Sequence, residues 1–174
     1  VGGIYTVIRS KVPAMVEKWE DNYCLIGPYF PQTASVEFEP RPNDDTPFSK
    51  TAQLLQEQGL TVHYGRWLVT GRPQIILVDF DDMLKQINAI KYNLWENHKI
   101  STINAEPLVD KVLAFGELVG IYLKEFANQN ASKFDIVAHF HEWMASTALL
   151  EVRRVNAAVG TVFTTHATML GRYI

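Results

Sequence analysis

The sequence predicts an α/β fold: a mostly parallel sheet with helices on both faces. Three observations carry that reading. Segments of strand pattern alternate with segments of helix pattern, several strands are apolar throughout, and no linker or repeat breaks the 174 residues. Strands buried on both faces read as continuous apolar runs, and such strands separated by helices form parallel sheets. The length suits one domain, because a chain of about 150 residues buries roughly 70% of its unfolded surface.

The elements follow in order. Residues 4–19 carry a helical pattern, and Pro13 inside it predicts an interruption, since proline cannot donate the ladder hydrogen bond. Residues 23–26 form a short apolar strand closed by Gly27-Pro28, and the acidic, Pro-rich run EFEPRPNDDTP (37–47) reads as a long surface loop. Residues 51–58 form a helix stopped by Gly59. Residues 61–69 alternate as a strand, Gly71-Arg72-Pro73 turn, and residues 74–80 form a second, mainly apolar strand.

Two helices come next. Asp81 and Asp82 open the first, where negative charge suits the positive end of the helix dipole. The second is expected to start near Asn104 as N-cap, with Glu106 and Pro107 in its first turn. Leu108, Val112, Phe115, Val119, Tyr122 and Phe126 step by three or four residues, giving one apolar stripe. A strand at 134–140, a helix at 142–155 and a strand at 158–164 complete the chain; Met144, Ala148, Val152 and Val155 share one face of that helix.

Composition removes several function classes. A net charge of −3 offers no basic face for nucleic acid. No apolar run approaches the roughly 20 residues that span a bilayer. Cys24 is the single cysteine and reads as a buried structural thiol. Without an intrachain disulfide or a leader, a reducing, cytoplasmic location is expected. There is no P-loop and no Gly-x-Ser-x-Gly elbow. The opening Val1-Gly2-Gly3-Ile4 has no strand before its glycines, so the chain reads as a fragment cut inside a motif.

Ligands of open parallel sheets bind beyond the carboxyl ends of the strands. The strand at 134–140 runs out into His141-Glu142-Trp143, and the strand at 158–164 into Thr165-His166-Ala167-Thr168. Both polar clusters are therefore expected at one edge. Gly2 and Gly3, leading into a helix, can bring backbone N–H groups against a phosphate. Arg172 suits a diphosphate through its rigid, bidentate fork, and His166 can donate to a sugar hydroxyl or a phosphate. His139 and His141 are two apart beside Glu142, a spacing that metal ligands use. No third ligand follows from spacing, and the alternative is one hydrogen-bonded core histidine with the other lining the site. No metal and no cofactor is assigned.

Five colinear blocks resemble the glycogen synthases of animals and fungi: VGGIYTVI at 1–8, LIGPYF at 25–30, HYGRWL at 63–68, HFHEW at 139–143 and FTTHATMLGRY at 163–173. The resemblance spans essentially the whole chain. It implies the N-terminal Rossmann-like domain of a retaining, two-domain (GT-B) glycosyltransferase, truncated at both ends, with the second Rossmann domain outside residues 1–174. It implies transfer of glucose from UDP-glucose to the non-reducing end of an α-1,4-glucan such as glycogen. His166 would contact the donor glucose, Arg172 its phosphates, and Glu142 the reacting centre or the acceptor; Gly2 and Gly3 would let the backbone approach the nucleotide-sugar. Homo-oligomers and a glycogenin partner are further implications. The run Glu106-Pro107-Leu108-Val109 departs from the family pattern. Alternatives are another retaining GT-B enzyme of the starch- or sucrose-synthase type, or a non-catalytic glucan-binding fragment.

Overall fold

The computed structural model describes residues 3–42 and 44–166. The chain forms two compact units that divide between Asp79 and Phe80.

In the first unit, helix α1 spans Gly3–Trp19 and runs through Pro13 without the expected interruption. A proline there removes a single donor. Ile8, Val12 and Val16, spaced by four, hold both halves of the helix on one apolar cluster with Trp67, Val69, Ile75 and Leu77. Strand β1 (Cys24–Pro28), helix α2 (Pro31–Glu37) and strand β2 (Phe38–Pro40) follow. In the stretch expected to be loop from residue 37, Glu37 thus ends α2 and residues 38–40 form a strand. Phe38 packs on the core cluster and β2 pairs antiparallel with β3 (Val62–Trp67), so pairing and burial override the loop-like composition. Gly65 permits that pairing: a Cβ there would collide with the carbonyl oxygen of Glu39.

Helix α3 (Pro47–Glu57) is capped by Thr46, whose side chain accepts the Ser49 N–H at 3.1 Å, and Pro47 takes the first helical turn. It buries Ala52 and Leu55 against the sheet. Strand β4 (Gln74–Val78) is buried along its whole length. The sheet order is β1-β4-β3-β2, with β1 and β4 parallel and in register from Cys24↔Gln74 to Pro28↔Val78. The β3–β4 pair is antiparallel, because the short link 68–73 can make a hairpin but not a crossover, and β2, joined to β3 through α3, also pairs antiparallel with it. The α/β class holds, with a hairpin set beside the parallel pair.

In the second unit, Asp81–Leu84 forms one short helix, α4, and Ile87–His98 forms α5, which ends at Lys99 in a left-handed conformation (φ 58°). Helix α6 spans Pro107–Asn130. Its N-cap is Glu106, not Asn104: Pro107 has no N–H to satisfy and pushes its predecessor into extended backbone (φ −62°, ψ 153°). Of the predicted stripe, Val112, Val119, Tyr122 and Phe126 are buried, Phe115 is half-buried, and Leu108 remains exposed in the first turn.

Strand β5 (Val137–His141), helix α7 (Glu142–Arg154) and strand β6 (Gly160–Thr164) follow. Helices α6 and α7 pack closely because Gly116 faces Thr147, whose hydroxyl donates to the Val112 carbonyl at 3.1 Å; a Cβ at 116 would strike the Thr147 side chain. Ala148 and Val152 are buried on that face of α7, whereas Met144 is exposed. Strands β5 and β6 pair in parallel from Val137↔Gly160 to His141↔Thr164.

Candidate functional site

The register of the parallel pair sets the geometry. His141 lies opposite Thr164, so the residues that follow both strands leave the sheet at the same edge. Side chains of a strand alternate between faces. His139 and His141 therefore share one face, with Thr164 beside them on the neighbouring strand. The His139 and His141 rings stack with centroids 4.1 Å apart, and His139 Nε2 meets Thr164 Oγ1 at 2.7 Å. His166, two residues past Thr164, adds a third ring: its centroid is 5.2 Å from that of His141, the planes are 12° apart, and its Nε2 lies 2.9 Å from His141 Nδ1.

Glu142 makes the bend from β5 into α7. Its φ of 64° is left-handed, a conformation that costs a residue with a Cβ roughly 1–2 kcal/mol. Such outliers persist where the surroundings hold them, and they cluster at functional sites. The bend turns the carboxylate back toward β6, where Oε1 accepts the backbone N–H of His166. Glu142 is also buried, at 9% exposure, one of the few buried polar side chains among the described residues. A buried carboxylate is tolerable when it is hydrogen-bonded, and here that bond ties the end of β6 to the start of α7.

This arrangement presents an anchored acid and an accessible imidazole at one edge. The inter-ring contact of His141 and His166 requires one proton between two nitrogens, so His166 keeps Nδ1 for an outside partner, as donor or acceptor according to the tautomer. Such a group can orient a hydroxyl or bind a phosphate oxygen.

The predicted residues fare differently. Glu142 and His166 come together, as expected. His139 is exposed and His141 half-buried, so neither is the expected core histidine; both belong to the stacked cluster because the face of β5 that carries them is open. Among the described residues no group of three His, Cys, Asp or Glu is placed to hold a metal ion. Gly3 heads α1 in the first unit, and a Cβ there would meet nothing within 4 Å, so packing does not demand glycine at this position. Gly2 and Arg172 lie outside the described residues. Cys24, half-buried on β1, has its thiol pKa pushed up by burial, which suits a structural role. Thr164 and the inter-ring contact of His141 were missed. The signal was present as two pairs of polar residues, 139/141 and 164/166, each with the period of a strand.

No helix among the described residues is long and apolar enough to cross a membrane. Comparison with known proteins adds the family. The glycogen synthase family model matches residues 1–174. The chain is 37% identical over all its residues to a glycogen (starch) synthase of Dictyostelium discoideum, covering 19% of that protein. It is 38% identical to that of Neurospora crassa, covering 24%, and 36% identical to the liver form of Rattus norvegicus, covering 25%. It therefore spans about a fifth to a quarter of the length of these relatives. With every described residue inside the matched span, and the HFHEW block and residues 163–166 supplying the edge just described, the chain belongs to the glycogen synthase family.

Proposed function

We propose that the protein carrying this chain transfers glucose from UDP-glucose to the non-reducing end of an α-1,4-glucan with retention of configuration. Residues 1–174 would contribute the N-terminal Rossmann-like domain, and a second domain the rest of the donor site. The observation that carries this reading is the meeting of the Glu142 carboxylate and His166 at the carboxyl edge of a parallel strand pair in a member of this family.

His166 orients the donor glucose. Arg172 and the backbone of Gly2 and Gly3 take the diphosphate, and Glu142 lies by the reacting centre or the acceptor. The transition state resembles an oxocarbenium ion, with negative charge growing on the departing diphosphate, so fixed cations and N–H dipoles aimed at that charge supply the electrostatic part of catalysis. Holding glucose in a near-attack pose contributes several kcal/mol more. Retaining glycosidases use a carboxylate nucleophile; here Glu142 is tied to the His166 N–H, which favours attack by the acceptor on the face the diphosphate leaves. Domain closure excludes water and favours transfer over hydrolysis. A cytoplasmic setting, a homo-oligomer and a glycogenin primer belong to the same reading.

The test is turnover of the intact protein with UDP-glucose and glycogen. His166→Ala and Arg172→Ala each lower kcat by about 10²–10³, the range for a lost preorganised contact. Near-normal turnover in both removes the assigned roles. The isolated 174 residues show no transfer; measurable transfer by them overturns the division of the donor site between two domains.

A further inference from the structure

We infer that His141 is a positioning residue for His166, fixing both the plane of its ring and the nitrogen it offers to the ligand; this rests on the donor-binding role proposed above for His166. Three contacts carry the inference. His141 is clamped on one side by the His139 ring at 4.1 Å, and His139 is itself held by Thr164 at 2.7 Å. The His166 ring lies nearly parallel to that of His141, with 12° between the planes. Its Nδ1 engages His166 Nε2 at 2.9 Å.

An exposed imidazole on a chain leaving a strand would otherwise rotate about two torsions and sample both tautomers. The 2.9 Å contact uses one of the two nitrogens, so Nδ1 is what remains to face a ligand. The backbone of His166 is fixed separately, by Glu142 on its N–H. One neighbour thus holds the main chain and the other the ring. His141 touches no reacting atom in this scheme. It acts through His166.

A double-mutant cycle on the intact protein tests this, with kcat and KM for UDP-glucose as the readout. His141→Phe keeps a ring in the stack and deletes the hydrogen bond. It is expected to lower kcat about tenfold to a hundredfold, the scale of a misplaced positioning group, with little change in Tm. His141→Asn, whose amide can donate or accept, restores part of that loss. In a His166→Ala background His141→Phe changes kcat by less than about twofold, because the group it positions is gone. Losses that simply add overturn the inference, since a generally damaged fold would produce them. A large loss in His166→Ala with none in His141→Phe removes this inference and leaves the role of His166 standing. Near-normal turnover in His166→Ala removes both. Should the Phe variant fail to fold, the same cycle with His141→Asn and His141→Ala decides by the same criterion of additivity.

Discussion

Strands β4 and β5 are each five residues long and pair in parallel with a neighbour, yet their surroundings differ. Every residue of β4 is buried between β1 and β3, whereas β5 buries only Phe140 and has β6 as its strand partner among the described residues. The polar groups around them differ in the same sense. In the first unit one set of them closes on itself: Tyr64 donates to Gln74 at 2.7 Å, Gln74 donates to the Asp21 carbonyl at 2.8 Å, and Glu37 accepts from Tyr5 at 3.0 Å and Trp67 at 3.2 Å. In the second unit the chain of contacts ends at an exposed ring, His166. Closed networks specify and stabilise a core; a network that stops at the surface is available to a ligand. Damage to the first unit should therefore register as lost stability, and damage to the edge of the second as lost turnover.

The largest effect expected on this contrast is at Glu142. Glu142→Ala removes the acceptor of the His166 N–H and is expected to lower kcat of the intact protein by about 10²-fold or more. Glu142→Gln, which keeps an acceptor, shows how much of the loss is charge. Glu142→Gly is equally inactive but more stable than Glu142→Ala by roughly 1 kcal/mol, since glycine takes a φ of 64° without a Cβ clash. Equal denaturation midpoints for the two variants contradict the strained bend.

Gly65→Ala should do the reverse. The new Cβ meets main chain, which cannot rotate aside, so a loss of about 1–3 kcal/mol in urea unfolding is expected with the β5–β6 edge itself untouched. Smaller again is Tyr64→Phe, which strands the buried Gln74 oxygen and costs about 1–2 kcal/mol. Unfolding free energies unchanged by both substitutions would break the contrast at its stable end.

The smallest effect depends on pH. Glu117, on α6, is held above the usual carboxylate range by burial and by the neighbouring Glu151, against the opposing pull of Arg154. A raised pKa means that the folded state keeps this proton to higher pH than the unfolded chain does. The associated stability is complete below the ordinary carboxylate value and is lost as pH rises through the folded one. Glu117→Gln, always neutral, should therefore raise the unfolding midpoint at about pH 7 and leave it unchanged below about pH 4. An equal shift at both pH values contradicts the assignment.

Most of this architecture was legible in the residues because patterning is local. The stripe on α6, the apolar run of β4 and strand ends near residue 140 and at Thr164 follow from spacing alone. What escaped was decided by tertiary contacts. Pro13 sits inside an unbroken α1 because Ile8, Val12 and Val16 dock on one cluster, and residues 38–40 form a strand because β3 accepts them. At the site, residue types and their common edge could be read from the order of strands and polar runs. The stacking of His139, His141 and His166 could not, because it depends on register between β5 and β6, which sequence spacing leaves open by one residue in either direction.

In the proposed function Glu142 and His166 line one sugar-nucleotide site at the carboxyl edge of β5 and β6. A crystal structure of the intact protein with UDP-glucose bound decides this. The glucose is expected within hydrogen-bond distance of His166, with the Glu142 carboxylate beside the reacting carbon or the acceptor path. UDP-glucose bound with both side chains turned away from it rules the site out.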